Sequence, residues 1–207
     1  MVTVDLTGSS DTTFTSTTRV RFSSVQCVAN ANVIADEVTA TLDGEALAAE
    51  AFDGEHLTLD LSDGDHVLEV TGTMRYSRTG EGLHRFVDPV DGLTYLYTQF
   101  ETADARRMYA NAEQPDQKAT FQLSVLAPSD WVVFTNSASV QPVDIGDGMG
   151  RFEHAATPRV STYITALGAG DFHVVDGTVA ADGREIPAAV ACRQSLAQYL
   201  DAERLLE

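Results

Sequence analysis

Across the first two-thirds of the chain, apolar side chains recur at every second position. Phe14, Val20 and Phe22 alternate with Thr and Arg. Val38, Ala40 and Leu42 alternate with Thr39 and Thr41, and Leu57, Leu59 and Leu61 with Thr58 and Asp60. Leu68 and Val70 flank Glu69, while Phe121, Leu123 and Val125 are separated by Gln122 and Ser124. A period of two puts one side of an extended segment in a core and the other in water, so these runs predict strands. Asp-Gly pairs punctuate them at Asp43-Gly44, Asp53-Gly54, Asp63-Gly64, Asp91-Gly92, Asp147-Gly148, Asp176-Gly177 and Asp182-Gly183. Such pairs supply the positive φ angles of tight hairpins. The clearest predicted hairpin joins Leu57–Leu61 to His66–Val70 across Ser62-Asp63-Gly64-Asp65. Short strands with these turns read as a mainly β fold, an antiparallel sandwich or an open barrel.

Two segments carry helical signals. Thr102 to Arg107 suits a short helical turn, with Thr102 as its cap and Asp104 in its first turn, ending before Pro115. From Ser195 to Glu207, Ser195 and Gln198 form a capping-box pattern ahead of an apolar stripe of Leu196, Tyr199, Leu200 and Leu206. The expected organisation is a β domain over residues 1–193 and the start of a helix over 194–207. The expected core draws on Val20, Phe22, Leu57, Leu59, Leu68, Val70, Phe121, Leu123, Trp131, Phe134 and Ile164. Trp131, the sole tryptophan, is expected as a core anchor.

Composition narrows the function classes. With 43% hydrophobic and 21% charged residues in 207, the chain is globular rather than disordered. Its formal charge of -18 argues against nucleic acid, whose phosphates need Lys and Arg, and against anionic membranes. Cys27 and Cys192 are too few for a disulfide scaffold and are expected as buried thiols in a reducing compartment. Met1 to Asp5 shows neither a basic nor an apolar leader, and no apolar run reaches the ~18 residues of a membrane span. A soluble, cytoplasmic protein is the expectation.

No familiar catalytic constellation is present. The five histidines include no pair at i, i+4, so H-E-x-x-H is missing, as are the G-x-S-x-G elbow, the phosphate loop and C-x-x-C. Acidic residues cluster at Asp60, Asp63 and Asp65 and at Asp144 and Asp147, but without the D-x-[DN]-x-[DN]-G calcium pattern they read as solvated turns. No residue is assigned to a metal.

The segment from Tyr95 to Phe121 is the unusual one. It passes from an aromatic strand through Gln99 and Glu101 into a charged half-turn. Arg106, Arg107 and Lys118 lie near Asp104, Glu113 and Asp116, which suits an ion-pair network bracing the loop. Gln99 and Glu101 occupy alternate positions and so share a face. An amide and a carboxylate side by side can hold an ammonium group.

Gln99-Phe100-Glu101-x-x-Asp104-Ala105-Arg106-Arg107, followed by Glu113-Gln114-Pro115-Asp116-x-Lys118-Ala119-Thr120-Phe121, closely resembles the N-terminal domain of the aminopeptidase N family of zinc exopeptidases. Thr157-Pro158-Arg159-Val160-Ser161-Thr162-Tyr163 is similar to that family's T-P-x-x-S-T-Y segment, and Gly80-Glu81-Gly82-Leu83 to its G-x-G-L loop. Asn111-Ala112 departs from the aromatic often found ahead of the acidic residue. The resemblance implies a large antiparallel β-sandwich or saddle packed over a thermolysin-like zinc domain. It implies that Glu101 binds the α-ammonium of peptide substrates and that Gln99 lines the pocket for their first side chain. Zinc, its ligands and the catalytic base would belong to a catalytic domain of the same chain beyond these residues, so this stretch alone is expected to be inactive. A free-standing β-sandwich binding module and a non-catalytic adaptor stay open beside that reading.

Overall fold

The computed structural model describes residues 1–8 and 10–207, and 52% of the chain is strand. In chain order the strands are β1 (Val2–Asp5), β2 (Thr13–Ser24), β3 (Cys27–Asn32), β4 (Glu37–Leu42), β5 (Glu45–Ala46) and β6 (His56–Leu61). There follow β7 (Gly64–Arg75), β8 (Gly82–Val87), β9 (Thr94–Gln99), β10 (Leu123–Pro128) and β11 (Val132–Thr135). The last are β12 (Val143–Gly146), β13 (Met149–Glu153), β14 (Leu167–Gly170), β15 (Phe172–Ala181) and β16 (Arg184–Arg193). An eight-stranded sheet runs β12-β13-β10-β1-β2-β7-β4-β5 and a four-stranded sheet β11-β14-β9-β8, with two-stranded sheets β15-β16 and β3-β6. Between named strands, β1 and β10 pair in parallel and the others antiparallel. The mainly β architecture expected from the alternation is therefore present, without a closed barrel.

The hairpin predicted between Leu57–Leu61 and His66–Val70 does not form. β6 pairs with β3, whereas β7 pairs with β2 and β4. The ladder β2–β7 ends at Ser24↔Gly64 and resumes as β3–β6 at Cys27↔Leu61. One long ribbon thus bends from one sheet into another, a corner of the kind strands make when they change layers. Side chains fix the bend. Gln26 donates its amide to Asp63 at 2.6 Å, the Ser24 hydroxyl donates to the Ser62 carbonyl at 2.8 Å, and the Ser23 hydroxyl donates to Asp65 at 2.6 Å. The acidic cluster read as a solvated tip is partly spent here.

Asp43-Gly44, Asp147-Gly148 and Asp182-Gly183 close β4–β5, β12–β13 and β15–β16 with positive φ at both residues, as tight hairpins require. Asp176-Gly177 is not a turn: it lies inside β15, opposite Ala189 and Ala188. A Cβ at Gly177 would stand 2.6 Å from Leu206 Cδ1, so this glycine makes room for the C-terminal helix.

One hydrophobic cluster takes buried side chains from both larger sheets and from β6, including Val4, Leu57, Leu59, Leu68, Val70, Leu96, Leu123, Val125 and Leu167. Val20, Phe22 and Trp131 are only partly buried against it, and Phe134 is likewise half-covered. Ile164 is 46% exposed, because the 3-10 turn Thr162–Ile164 turns Thr162 inward instead. Cys27, just past the bend, is exposed and Cys192 partly so; neither is the buried thiol expected.

The C-terminal segment is also not one helix. A 3-10 stretch, Gln194–Tyr199, is followed by α1 (Ala202–Leu206), whose cap is Asp201 accepting from the Arg204 amide. Ser195 is diverted from capping. Its hydroxyl donates to Asp88 at 2.6 Å and its amide to Asp91 at 3.1 Å, while the Gln194 amide donates to the Tyr95 hydroxyl at 2.9 Å. Asp88 is 1% exposed and also receives Arg193 at 3.0 Å. These bonds hold its carboxyl below the usual range, the Ser195 hydroxyl first.

Candidate amino-terminus site

Strand β9 and the turn after it carry the candidate residues. Tyr95, Leu96 and Phe100 are buried, at 2%, 1% and 1% exposure, while Gln99 and Glu101 flank Phe100 and are exposed. The strand ends at Gln99, so Glu101 belongs to the turn rather than to the ladder. The Glu101–Thr102 peptide is cis. Among the described residues, neither Gln99 nor Glu101 spends its side chain on a hydrogen bond or an ion pair within the chain.

The support beneath them is dense. The ring of Phe100 meets Tyr109 edge-on at 6.1 Å, and Tyr109 meets Phe121 at 5.7 Å. The Tyr109 hydroxyl, in a fully buried position, contacts Thr165 Oγ1 at 2.9 Å and the Thr162 carbonyl at 3.2 Å. Burial pushes this phenol well above its ordinary range. Tyr109 therefore joins the strand end to the Thr157–Leu167 segment. It was not singled out in the sequence, where its one signal is an aromatic between a charged half-turn and Pro115.

The helical turn is shorter and later than predicted. It spans Ala105–Arg107 with Asp104 at its cap position, and Thr102 does not cap it. Arg107 Nε donates to Asp104 at 2.7 Å. The Arg107 stem covers Gly82, which faces Gln99 in the β8–β9 ladder and has a φ of 64°. The predicted ion-pair network is only partly realised. Arg106 approaches Glu55 at 3.9 Å, but its tie to Glu113 is through its backbone amide, which donates to Glu113 Oε2 at 2.7 Å. Lys118 contributes its carbonyl, which accepts from Arg159 at 2.8 Å. Half-burial of the Glu113 carboxyl raises its pKa against the opposing pull of the Arg106 amide.

The segments that look familiar in sequence meet in space. Ala119 and Val160 exchange backbone hydrogen bonds, Phe121 and Thr157 bond through amide and hydroxyl, and the Ser161 hydroxyl donates to the Pro115 carbonyl at 2.6 Å. Phe121 joins them through Tyr109 to Phe100, the buried residue between Gln99 and Glu101. A family model described as the peptidase M1 N-terminal domain matches residues 2–164.

The chain belongs to the peptidase M1 N-terminal domain family.

This M1 domain is 44% identical over 210 residues to the aminopeptidase N of Streptomyces lividans, covering 99% of this chain and 24% of that protein. It is 48% identical over 88 residues to the aminopeptidase N of Acetobacter pasteurianus, covering 42% of this chain. Its fold matches the crystal structure of Legionella pneumophila aminopeptidase A in complex with aspartic acid with a TM-score of 0.81 at 16% identity, over 97% of this chain and 24% of that one. The M1 domain thus spans 24% of the length of the Streptomyces relative. Among its described residues, no three His, Cys, Asp or Glu side chains gather as a metal site.

Proposed function

We propose that this M1 domain anchors the amino terminus of peptide substrates in a zinc-dependent aminopeptidase. Glu101 accepts the α-ammonium and Gln99 lines the pocket for the first side chain. The observation that carries this reading is the pair of free, exposed side chains flanking a fully buried Phe100. Phe100 packs edge-on against Tyr109, whose hydroxyl is itself hydrogen-bonded to Thr165, which supports a fixed backbone between the two polar residues. A carboxylate facing an ammonium makes a charge-assisted bond, about 1.5–3 kcal/mol. An exopeptidase needs such a fixed point, because it must measure from the chain end to the scissile bond.

The metal, its ligands and the groups that activate water are assigned to a catalytic domain in a longer chain, a reading supported by relatives of which this domain covers 24%. There the zinc would polarise the scissile carbonyl and activate water; here the residues only bind and orient. In the intact enzyme, Glu101→Gln is expected to lower kcat/KM for peptides with a free amino terminus by about tenfold or more, on the scale of that bond. An unchanged kcat/KM overturns the assignment.

A further inference from the structure

We propose that Glu113 is a positioning residue for the amino-terminus site: its carboxylate, bound to the Arg106 amide, sets the turn that carries Glu101. The proposal rests on the anchoring role given to Glu101.

The turn between Phe100 and Tyr109 is not part of a sheet. Its internal bonds are short-range, from the Asp104 amide to the Phe100 carbonyl at 3.0 Å and from the Met108 and Tyr109 amides to the Ala105 carbonyl at 2.9 and 3.0 Å. Arg106 sits in the first turn of a 3-10 helix, where an amide has no acceptor within the helix. That amide donates to Glu113 Oε2 at 2.7 Å, and the Arg106 carbonyl accepts from the Ile34 amide at 2.8 Å. Arg106 is thus gripped from both sides.

The grip on the amide side is itself fixed. Asn111 and Asn32 exchange backbone hydrogen bonds of 2.7 and 3.1 Å, and Asn32 Nδ2 donates to the Ala112 carbonyl at 3.0 Å. Asn111 accepts the Glu113 amide on Oδ1 and donates from Nδ2 to the Tyr109 carbonyl at 2.9 Å. The base under Glu113 is therefore β3, one arm of the bent ribbon. The polar Asn111 at the position that departs from the family pattern closes this link.

The backbone of Glu113 supplies a second observation. Its φ is 50°, a left-handed conformation that favours Gly or Asn and strains other residues. Nothing in the backbone calls for a glutamate there. The side chain does, because a carboxylate at this point reaches the Arg106 amide, a stronger acceptor than a neutral group.

The test is a cycle in the intact enzyme, with kcat/KM read for peptides with a free amino terminus in Glu113→Ala, Glu101→Gln and the double variant. Circular dichroism establishes that each is folded; if Glu113→Ala is not, Glu113→Asp, one methylene too short, replaces it. The expected result is a loss of about fivefold on removing the Glu113 carboxylate when Glu101 is present, and of less than about twofold when Glu101 is already Gln. Glu113→Gln, which keeps an acceptor, should recover most of the loss. Equal losses in both backgrounds, or no loss with Glu101 present, overturn the proposal. An ineffective Glu101→Gln is a separate failure, that of the anchoring role itself.

Discussion

The side chain of Arg107 rests on Gly82, where a Cβ would stand 2.9 Å from Arg107 Cβ and 3.0 Å from its Cδ. Gly82 also has a φ of 64° and faces Gln99 in the ladder. The G-x-G-L and D-A-R-R stretches are therefore two halves of one contact beside the candidate site. Gly82→Ala should destabilise the domain by about 1–3 kcal/mol, through strain and displacement of Arg107. Gly44→Ala, at a φ of 88° with open space around it, should show the strain alone. Urea unfolding midpoints check this. In an Arg107→Gly background, which removes the Cβ as well as the Cδ, Gly82→Ala should lose the steric part of its cost, and identical midpoints for Gly82→Ala and Gly44→Ala would count against the contact.

A second prediction concerns pH. His66 is buried beside Asp43, with Nδ1 at 2.7 Å from the carboxylate and Nε2 at 3.0 Å from the Ser62 carbonyl. The bond to Asp43, above all, raises its pKa over the ordinary 6.5. The stabilisation is complete below 6.5 and is lost as pH rises through the folded value. Asp43 is shifted down by the same bond, so its share is lost only as pH falls below 3.8. His154 works oppositely to His66: burial lowers its pKa, and its contribution is lost as pH falls below 6.5. Comparing the chain with His66→Gln isolates one term. Urea midpoints should fall between about pH 6 and pH 9 in the parent, with this fall reduced in the variant. Parallel midpoint curves for the two proteins would refute the assignment.

A third prediction concerns the end of the β domain. Asp88 collects Arg193, the Ser195 hydroxyl and the Val90 amide, while Asp91 and Tyr95 collect the next amides. This cluster ties the β8–β9 connection to the point where β16 passes into the 3-10 stretch. Asp88→Asn should speed hydrogen exchange at the Gln194 and Ser195 amides while leaving the β2–β7 ladder protected. Uniform loss of protection in both regions would mean that Asp88 supports the whole fold instead.

Much of this fold was legible in the sequence, and what was not has identifiable causes. Period two located β2, β4, β6, β7 and β10, because burial on one side leaves a plain mark. It could not say that β6 and β7 part company, since that depends on Asp63 and Ser24 bonding across a bend rather than on any pattern within a strand. The same alternation predicts Gln99 and Glu101 on one face of a strand; both are exposed around the buried Phe100, but the strand ends at Gln99 and Glu101 lies in the turn beyond it. Ser195 and Gln198 spelled a capping box, but a buried Asp88 took the serine hydroxyl, a competitor more than 100 residues away. Glu113 looked like an ion-pair partner for an arginine side chain. Its partner is an arginine backbone amide, and no spacing rule identifies an acceptor held at positive φ.

The central claim is that Glu101 reads the substrate's α-ammonium. It is tested most directly by binding of a non-cleavable peptide and its des-amino analogue to the intact enzyme and to Glu101→Gln. The parent protein should prefer the amino-bearing peptide by about tenfold or more, and the variant should hold the two within about twofold of each other. A Glu101→Gln variant that keeps the full preference for the amino-bearing peptide would contradict the account.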